Sequence, residues 1–351
     1  MKSKLTIGTR SSKLALWQAN HIKEELQKLY PDLEVNLKEI KTKGDHITDI
    51  ALSKIGGKGL FTKEIEEELL KGEIDLACHS LKDLPTKLPD GLKIGAILKR
   101  EDPHDVLLSK DKRKFKDLLP ESFVGTSSLR RISQLKHIRR DLEYIDLRGN
   151  LDTRIRKLDE GQYDAIVLAY SGVRRLGFHI KITEHFNPID VLPAVGQGAL
   201  AIEIREDDKN IEKIISKLND TTTYLISIAE RAFLETLQGG CQVPIGAFTE
   251  IHEGKIILHG LIASLDGKRI VRDKAETVIA RSDEGATKQS PNASRNEIAS
   301  SGFLQSPPRN DMLKECKNLG IQLAERLLQN GGREILKEIE PNRKKAEEII
   351  I

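Results

Sequence analysis

Cysteine and aromatic residues are scarce in this chain of 351 residues, which has three cysteines, fourteen aromatic side chains and a single tryptophan. Cys78, Cys241 and Cys316 are odd in number, lie far apart and form no CxxC or Cys/His clip. That argues against a disulfide framework and against a local zinc site, and no metal is expected. No apolar run approaches the roughly 18 to 20 residues that cross a bilayer, and the opening MKSKLTIGTR has no apolar signal segment. A cytoplasmic protein without a membrane partner is the expectation. A strong charge of one sign is also missing: the formal net charge of +3 gives no global electrostatic case for nucleic acid. The aromatics are not interleaved with the arginines, as base stacking on a single strand would require. No nucleotide loop of the GxxxxGK[ST] or GxGxxG kind stands in the right context, although GGKG (56 to 59) looks superficially similar.

What is present is enough apolar material, 38% of residues, to bury real cores, in a length that suits two or three domains. The first hundred residues alternate short β-type runs with helical periods. LTIGT (5 to 9), EVNLKEI (34 to 40) and IDLAC (74 to 78) read as strands, with a Ser-capped helix at 11 to 30 and a Thr-capped, Gly-terminated helix at 62 to 72. This is βαβ material around a mostly parallel sheet. The pattern then restarts. SFVGTSSLRRISQL (122 to 135) echoes LTIGTRSSKLAL: a strand ending in Gly-Thr, a serine pair, then an amphipathic helix. Strands at 142 to 150 and 163 to 170, with a helix at 151 to 161, complete a second α/β unit of similar plan. VLPAVGQGALAIEIRED (191 to 207) is a plausible crossing between units. From about Thr221 a third unit begins, with a helix at 225 to 237, the segment LQGGCQVPIG (237 to 246), a hairpin at 255 to 280 turning at Asp266-Gly267, and a final helix at 311 to 330 that carries Cys316 on its apolar stripe. Residues 282 to 311 hold six Ser, three Pro and only Ile298, Phe303 and Leu304 as large apolar residues, so a mobile insertion is expected there.

Each Gly-Thr turn with its serine pair offers backbone N–H groups, hydroxyls and the positive end of a helix dipole, a combination that binds anions. Nine arginines fall between Arg130 and Arg175, and arginine grips carboxylate or phosphate with a planar fork that never loses its charge. Those at element ends, Arg10, Arg130, Arg131, Arg148, Arg154 and Arg175, lie where α/β sheets place ligands; others on helix faces are ordinary solvated charge. A polyanionic ligand between two domains follows. Asp83, in IDLACHSLKDLP (74 to 85), taken alone fits a turn or cap role, and Cys241 taken alone fits buried filler. Their conjunction with an arginine-rich anion site raises both.

GTRSSKLALWQ (8 to 18), KGLFTKEIEEELL (58 to 70), HSLKDLPT (79 to 86), GTSSLRR (125 to 131), LRGNLDTR (147 to 154), LPAVGQGAL (192 to 200) and GGCQVPIG (239 to 246) together closely resemble the hydroxymethylbilane synthase (porphobilinogen deaminase) family, in the family's order and over most of residues 5 to 280. The resemblance implies an α/β fold of two domains like the lobes of periplasmic binding proteins plus a smaller α+β C-terminal domain. Domain 1 would comprise 1–99 and 200–219, domain 2 100–199, and domain 3 220–351 with the flexible insertion 282–311. It further implies a dipyrromethane cofactor held by a thioether to Cys241, on which four porphobilinogen units are joined head to tail with loss of ammonia before hydrolysis frees the linear tetrapyrrole. Each pyrrole carries an acetate and a propionate, so the growing chain would be the polyanion. Asp83 matches the catalytic aspartate. Arg130, Arg131, Arg154 and Arg175, with Lys82, Ser80, Thr126 and Ser128, would hold cofactor and chain carboxylates. Arg10 and Arg148 match residues of substrate handling and elongation, with Ser12, Gln18 and Gly149 beside them. Lys54 and Lys58 lie in a glycine-rich lid, and Gln197 at the interdomain crossing. The family is usually monomeric. Insertion 282–311 departs from compact bacterial-type members. Two rivals stand beside this reading: a non-enzymatic two-lobed polycarboxylate-binding protein, which gives Cys241 and Asp83 no role, and a thiol hydrolase, for which no histidine neighbours Cys241 in sequence.

Overall fold

The computed structural model describes residues 3–46, 59–239, 243–278 and 310–348. Strand β1 (Lys4–Thr9) buries Leu5 and Ile7 completely, and helix α1 (Lys13–Leu29) lays Ala19, Ile22 and Leu26 against it at helical spacing. Strand β2 (Glu34–Glu39), the short helix α2 (Lys43–His46), helix α3 (Lys63–Leu70), and strands β3 (Leu76–Ser80) and β4 (Leu92–Ile97) follow. The second unit runs through β5 (Asp105–Ser109), β6 (Phe123–Gly125), α4 (Leu129–Ile138), β7 (Glu143–Ile145), α5 (Leu151–Asp159), β8 (Ala165–Ala169), α6 (Tyr170–Arg175) and β9 (Glu184–His185). The chain then returns to the first sheet as β10 (Leu200–Arg205), followed by α7 (Lys209–Ile215).

Both five-stranded sheets have the same layout. The first is ordered β2-β1-β3-β10-β4 and the second β7-β6-β8-β5-β9. In each, three strands linked by crossover helices pair in parallel, and one antiparallel strand, β10 or β5, enters beside the third. The echo between LTIGTRSS and FVGTSS in the sequence is therefore a repeat of topology, with β1 and β6 in the same central role. Two segments, 98–104 and 186–199, carry the chain between the sheets.

Helix α8 (Thr221–Thr236) leads into a three-stranded antiparallel sheet of β11 (Ile245–His252), β12 (Lys255–Ala263) and β13 (Ile270–Val278), and α9 (Asn310–Leu327) packs beside α8 over it. Phe233, Leu258, Ile262 and Leu323 are fully buried at that interface. Gly320 permits it, because a Cβ there would meet the backbone of α8. Cys316 lies in this core, as its position on the apolar stripe predicts, and burial pushes its thiol up to about 11.

The sequence reading missed two elements of this third unit and over-extended one of the second. Strand β11 directly precedes the expected hairpin. Beyond the final expected helix a left-handed Gly331 (φ +101) kinks the chain into a further helix, α10 (Arg333–Glu348). Strand β7 ends at Ile145 rather than running to residue 150, because its only partner, β6, is three residues long and the pairing stops at Gly125 opposite Ile145. Most of the insertion expected at 282–311 lies outside the described residues.

Candidate active site

The GTRSS turn (8–12) and the one-residue-shorter GTSS turn (125–128) open the site from opposite units. In the first, the hydroxyl of buried Thr9 donates to Ala15 O (3.1 Å) and Ser12 caps α1 by accepting from Ala15 N (3.3 Å). In the second, Thr126 Oγ1 accepts from Ser128 N (3.3 Å), and Ser128 caps α4 by accepting from Arg131 N (3.4 Å). The expectation of free backbone donors at these turns is thus modified: the cap serines already satisfy one N–H of each helix. Ser127 adds a brace, its hydroxyl donating to Leu147 O and accepting from Leu147 N, both at 3.0 Å. This fixes the loop that carries Arg148 and Gly149.

Asp83 ends a single 3-10 turn, Leu81–Asp83, that follows β3 directly, and its side chain is exposed. Gln18 Nε2 donates to Ser80 Oγ (2.9 Å), tying α1 to the end of that strand. His79, next to it, instead lies buried against Glu203, 3.0 Å away. The turn is also held from the third unit. Arg231 of α8 donates to Leu84 O (3.3 Å), Pro85 O (2.6 Å) and Thr86 O (3.1 Å). The helix that runs toward residue 241 is thereby clamped to the residues immediately after Asp83.

Opposite stands the cation cluster of the second unit. Arg131 and Arg154 lie within each other's field, Arg148 adds to it, and Asp83 is the carboxylate that acts on Arg154 across the gap. Burial brings the Arg154 guanidinium down to about 10, and the neighbouring arginines push the same way. Burial also lowers Arg148, whose Nε and Nη2 are enclosed with no hydrogen-bond acceptor among the described residues. Arg154 Nε donates to Gly149 O (2.7 Å), so the left-handed glycine helps orient it. On the Asp83 side, burial brings Lys82 down to about 8, with Arg131 and Arg130 lowering it further and Asp83 and Asp105 opposing. Arg10 is set over the Phe61 ring, 4.3 Å from its centroid.

The interdomain crossing knits these groups together through a residue that sequence reading missed. Asp105, fully buried at the start of β5, accepts from Arg130 Nη1 (2.7 Å), from Arg131 Nη2 (2.7 Å) and Nε (3.1 Å), and from Gln197 Nε2 (2.9 Å). Burial alone would raise its carboxyl; the two guanidiniums overcome this and hold it well below the usual carboxylate range. Gln197, also fully buried, donates to Pro103 O (2.6 Å) and accepts from Lys82 Nζ (3.4 Å). Arg130 further donates to Leu192 O (2.6 Å) and is 5% exposed, so it serves the crossing more than the open site. Arg175 Nη2 donates to Gly198 O (2.8 Å). Asp105 gave no motif signal; only its position just past Arg100-Glu101-Asp102-Pro103, where one sheet hands over to the other, marks it. Lys54, Lys58 and Cys241 lie outside the described residues.

Could these cations hold a bound polycarboxylate? The orphaned donors of Arg148 and the mutual repulsion of Arg131, Arg148 and Arg154 fit that need, because buried cations without partners are costly and anionic groups from a ligand relieve them. Among the described residues no cluster of His, Cys, Asp and Glu could hold a metal ion, and no helix is long and apolar enough to cross a membrane.

Comparison with known proteins bears on the same cleft. The family model described as porphobilinogen deaminase, dipyromethane cofactor binding domain, matches residues 5–213, and that of the porphobilinogen deaminase C-terminal domain matches residues 224–290. The porphobilinogen deaminase of Syntrophomonas wolfei is 48% identical over 332 residues, covering 95% of this chain and 97% of that protein. That of Chlorobium chlorochromatii is 49% identical over 339 residues, covering 97% and 99%. A solved structure of the probable amino-acid ABC transporter extracellular-binding protein ytmK from Bacillus subtilis aligns at a TM-score of 0.37 and 13% identity, over 67% of this chain and 97% of that one.

Proposed function

The chain belongs to the porphobilinogen deaminase family, and on that footing we propose how its residues divide the work of the family's reaction. The activity is that of a hydroxymethylbilane synthase, a transferase of tetrapyrrole biosynthesis acting on porphobilinogen with a dipyrromethane cofactor. The relatives disfavour the non-enzymatic binder. When bound, the dipyrromethane supplies the covalent primer to which the pyrrole units are added.

Arg131, Arg148 and Arg154 hold acetate and propionate groups from the side of the second unit, and Lys82 does so from the first. Ser80, Thr126, Ser128 and Gly149 shape the turns from which these cations project. Arg130 and Gln197 keep Asp105 in place beneath them. Arg175 receives carboxylates at the crossing. Arg10, braced on Phe61 and set beside capping Ser12, orients the incoming substrate, and Gln18 fixes Ser80. Cys241 forms the thioether, and Lys54 and Lys58 bind the substrate or growing chain, as the family resemblance implies.

Asp83 is the catalytic carboxylate. Loss of ammonia from porphobilinogen develops positive charge on the methylene carbon and pyrrole ring left behind, and a fixed carboxylate facing them lowers that barrier. The same carboxylate can take up and return the proton that moves when the new carbon–carbon bond forms. Its turn is held by Arg231, so the charge is presented without reorganisation. The observation that carries this reading is the pairing of exposed Asp83 with a cation cluster whose Arg148 donors have no acceptor among the described residues. The proposed setting is a cytoplasmic monomer without nucleic-acid or membrane partners. Intact-protein mass spectrometry tests the reading: a mass excess matching dipyrromethane on the native chain, absent from Cys241→Ser, supports it, and an unmodified, fully active protein refutes it.

A further inference from the structure

The chain's only tryptophan is Trp17, and it is 37% exposed. Singly exposed apolar side chains are ordinary, and several here are more exposed than Trp17; what sets Trp17 apart is its surroundings. Trp17 stacks on His21 (5.2 Å between centroids, 17° between planes) and borders a cavity of about 300 Å3 floored by Leu98 and Leu200. Such a volume is at the lower end for small-molecule sites, suited to one substituted ring.

The charges around this cavity are selective. Arg100 is neutralised by a two-pronged pair with Glu230 (2.7 and 3.2 Å), and Glu101 accepts from Arg174 (2.7 Å). Two cations are left over. Lys99 is exposed and has no ion-pair partner among the described residues. Arg175 lies 5.6 Å from the Trp17 ring and donates to the neutral carbonyl of Gly198; Glu101 acts on it from a distance, and no carboxylate among the described residues is in ion-pair range. Two uncompensated cations beside one aromatic wall match a pyrrole bearing two carboxylates.

Counting carboxylates says which pyrrole. Two cofactor rings bring four carboxylates, enough to occupy Lys82, Arg148 and Arg154, with Arg131 already paired to Asp105. Rings added later need further cations, and Arg175 stands at the next position along the crossing, bonded to Gly198 beside the Gln197 that contacts Lys82. We propose that the Trp17 cavity is a chain-storage subsite that receives a pyrrole ring of the elongating chain, its carboxylates on Lys99 and Arg175 and its ring against Trp17. This rests on the synthase reading above.

Because Trp17 is the only tryptophan, its emission reports on this cavity alone. Porphobilinogen is added stepwise to the holoenzyme while chain length is followed by mass spectrometry. The expected result is a stepwise emission change at a later addition. In Trp17→Ala the ratio of the third to the first addition rate falls about tenfold or more, Trp17→Phe restores most of it, and Lys99→Gln shifts it the same way as Trp17→Ala. Additions that proceed with unchanged emission at every stage, or with an unaltered rate ratio in a folded Trp17→Ala protein, overturn the subsite while leaving the synthase reading intact. A chain that gains no units at all overturns both.

Discussion

Arg131 grips Asp105 with two donors, Nη2 at 2.7 Å and Nε at 3.1 Å, in a part of the crossing where Asp105 is fully buried. The contact joins the start of β5 to α4, the helix that carries Arg130 and Arg131, and Arg130 and Gln197 complete it. Replacing the carboxylate with its uncharged isostere leaves two buried guanidiniums without a counter-charge. Asp105→Asn should therefore cost about 3 to 5 kcal/mol of stability, read by urea denaturation. Since the folded carboxyl is held below its unfolded value of about 3.9, the Asp105 contribution is present above that pH and lost as acid takes the pH down through the folded value. A stability loss under about 1 kcal/mol at pH 7 contradicts the counter-ion role.

Arg148 behaves in the opposite way. Its enclosed Nε and Nη2 have no acceptor among the described residues, so the fold gains little from them and the ligand gains much. Arg148→Ala should leave unfolding of the cofactor-free Cys241→Ser background unchanged or slightly improved, while weakening porphobilinogen use, as kcat/KM, by roughly 2 kcal/mol or more, about thirtyfold. Equal losses of stability and turnover would assign Arg148 a structural role instead.

Lys82 carries a pH signature. Burial brings it down to about 8 in the folded protein, against about 10.4 unfolded. Between those values the unfolded chain holds the extra proton, so stability rises with pH across that window and carries the cost of a charged Lys82 below it. In the cofactor-free background, Lys82→Met should be the more stable by on the order of 1 kcal/mol at pH 7, a figure reduced because Lys82 is only partly buried. The difference should shrink toward pH 10. A constant difference, or none at pH 7, refutes the assignment.

Much of this architecture could be read from residue order. The repeated Gly-Thr turn with its serine pair announced two α/β units because strand-to-helix turns impose the same local chemistry wherever they occur, and the cap serines Ser12 and Ser128 do what their spacing requires. The arginines were visible as a cluster, yet their division of labour was not. Whether a guanidinium faces a ligand or a protein carboxylate depends on contacts such as Arg130 to Asp105, 25 residues apart, or Arg231 to the Asp83 turn, about 146 residues apart. Strand β11 was missed because its two-residue turn into β12, Glu253-Gly254, has a glutamate at the left-handed position where Asn or Asp is the usual signal. Trp17 stood within a quoted motif, but only the cavity beside it shows why an aromatic is needed there.

Asp83 is the point on which the chemical account turns. The decisive measurement is the single-turnover rate of porphobilinogen addition to Asp83→Asn, with the loaded cofactor verified by intact mass. The expected result is a folded protein with its dipyrromethane mass excess in place and a rate about 100- to 10,000-fold lower. Addition at close to the native rate, with that mass excess present, contradicts the assignment of Asp83 as the catalytic carboxylate.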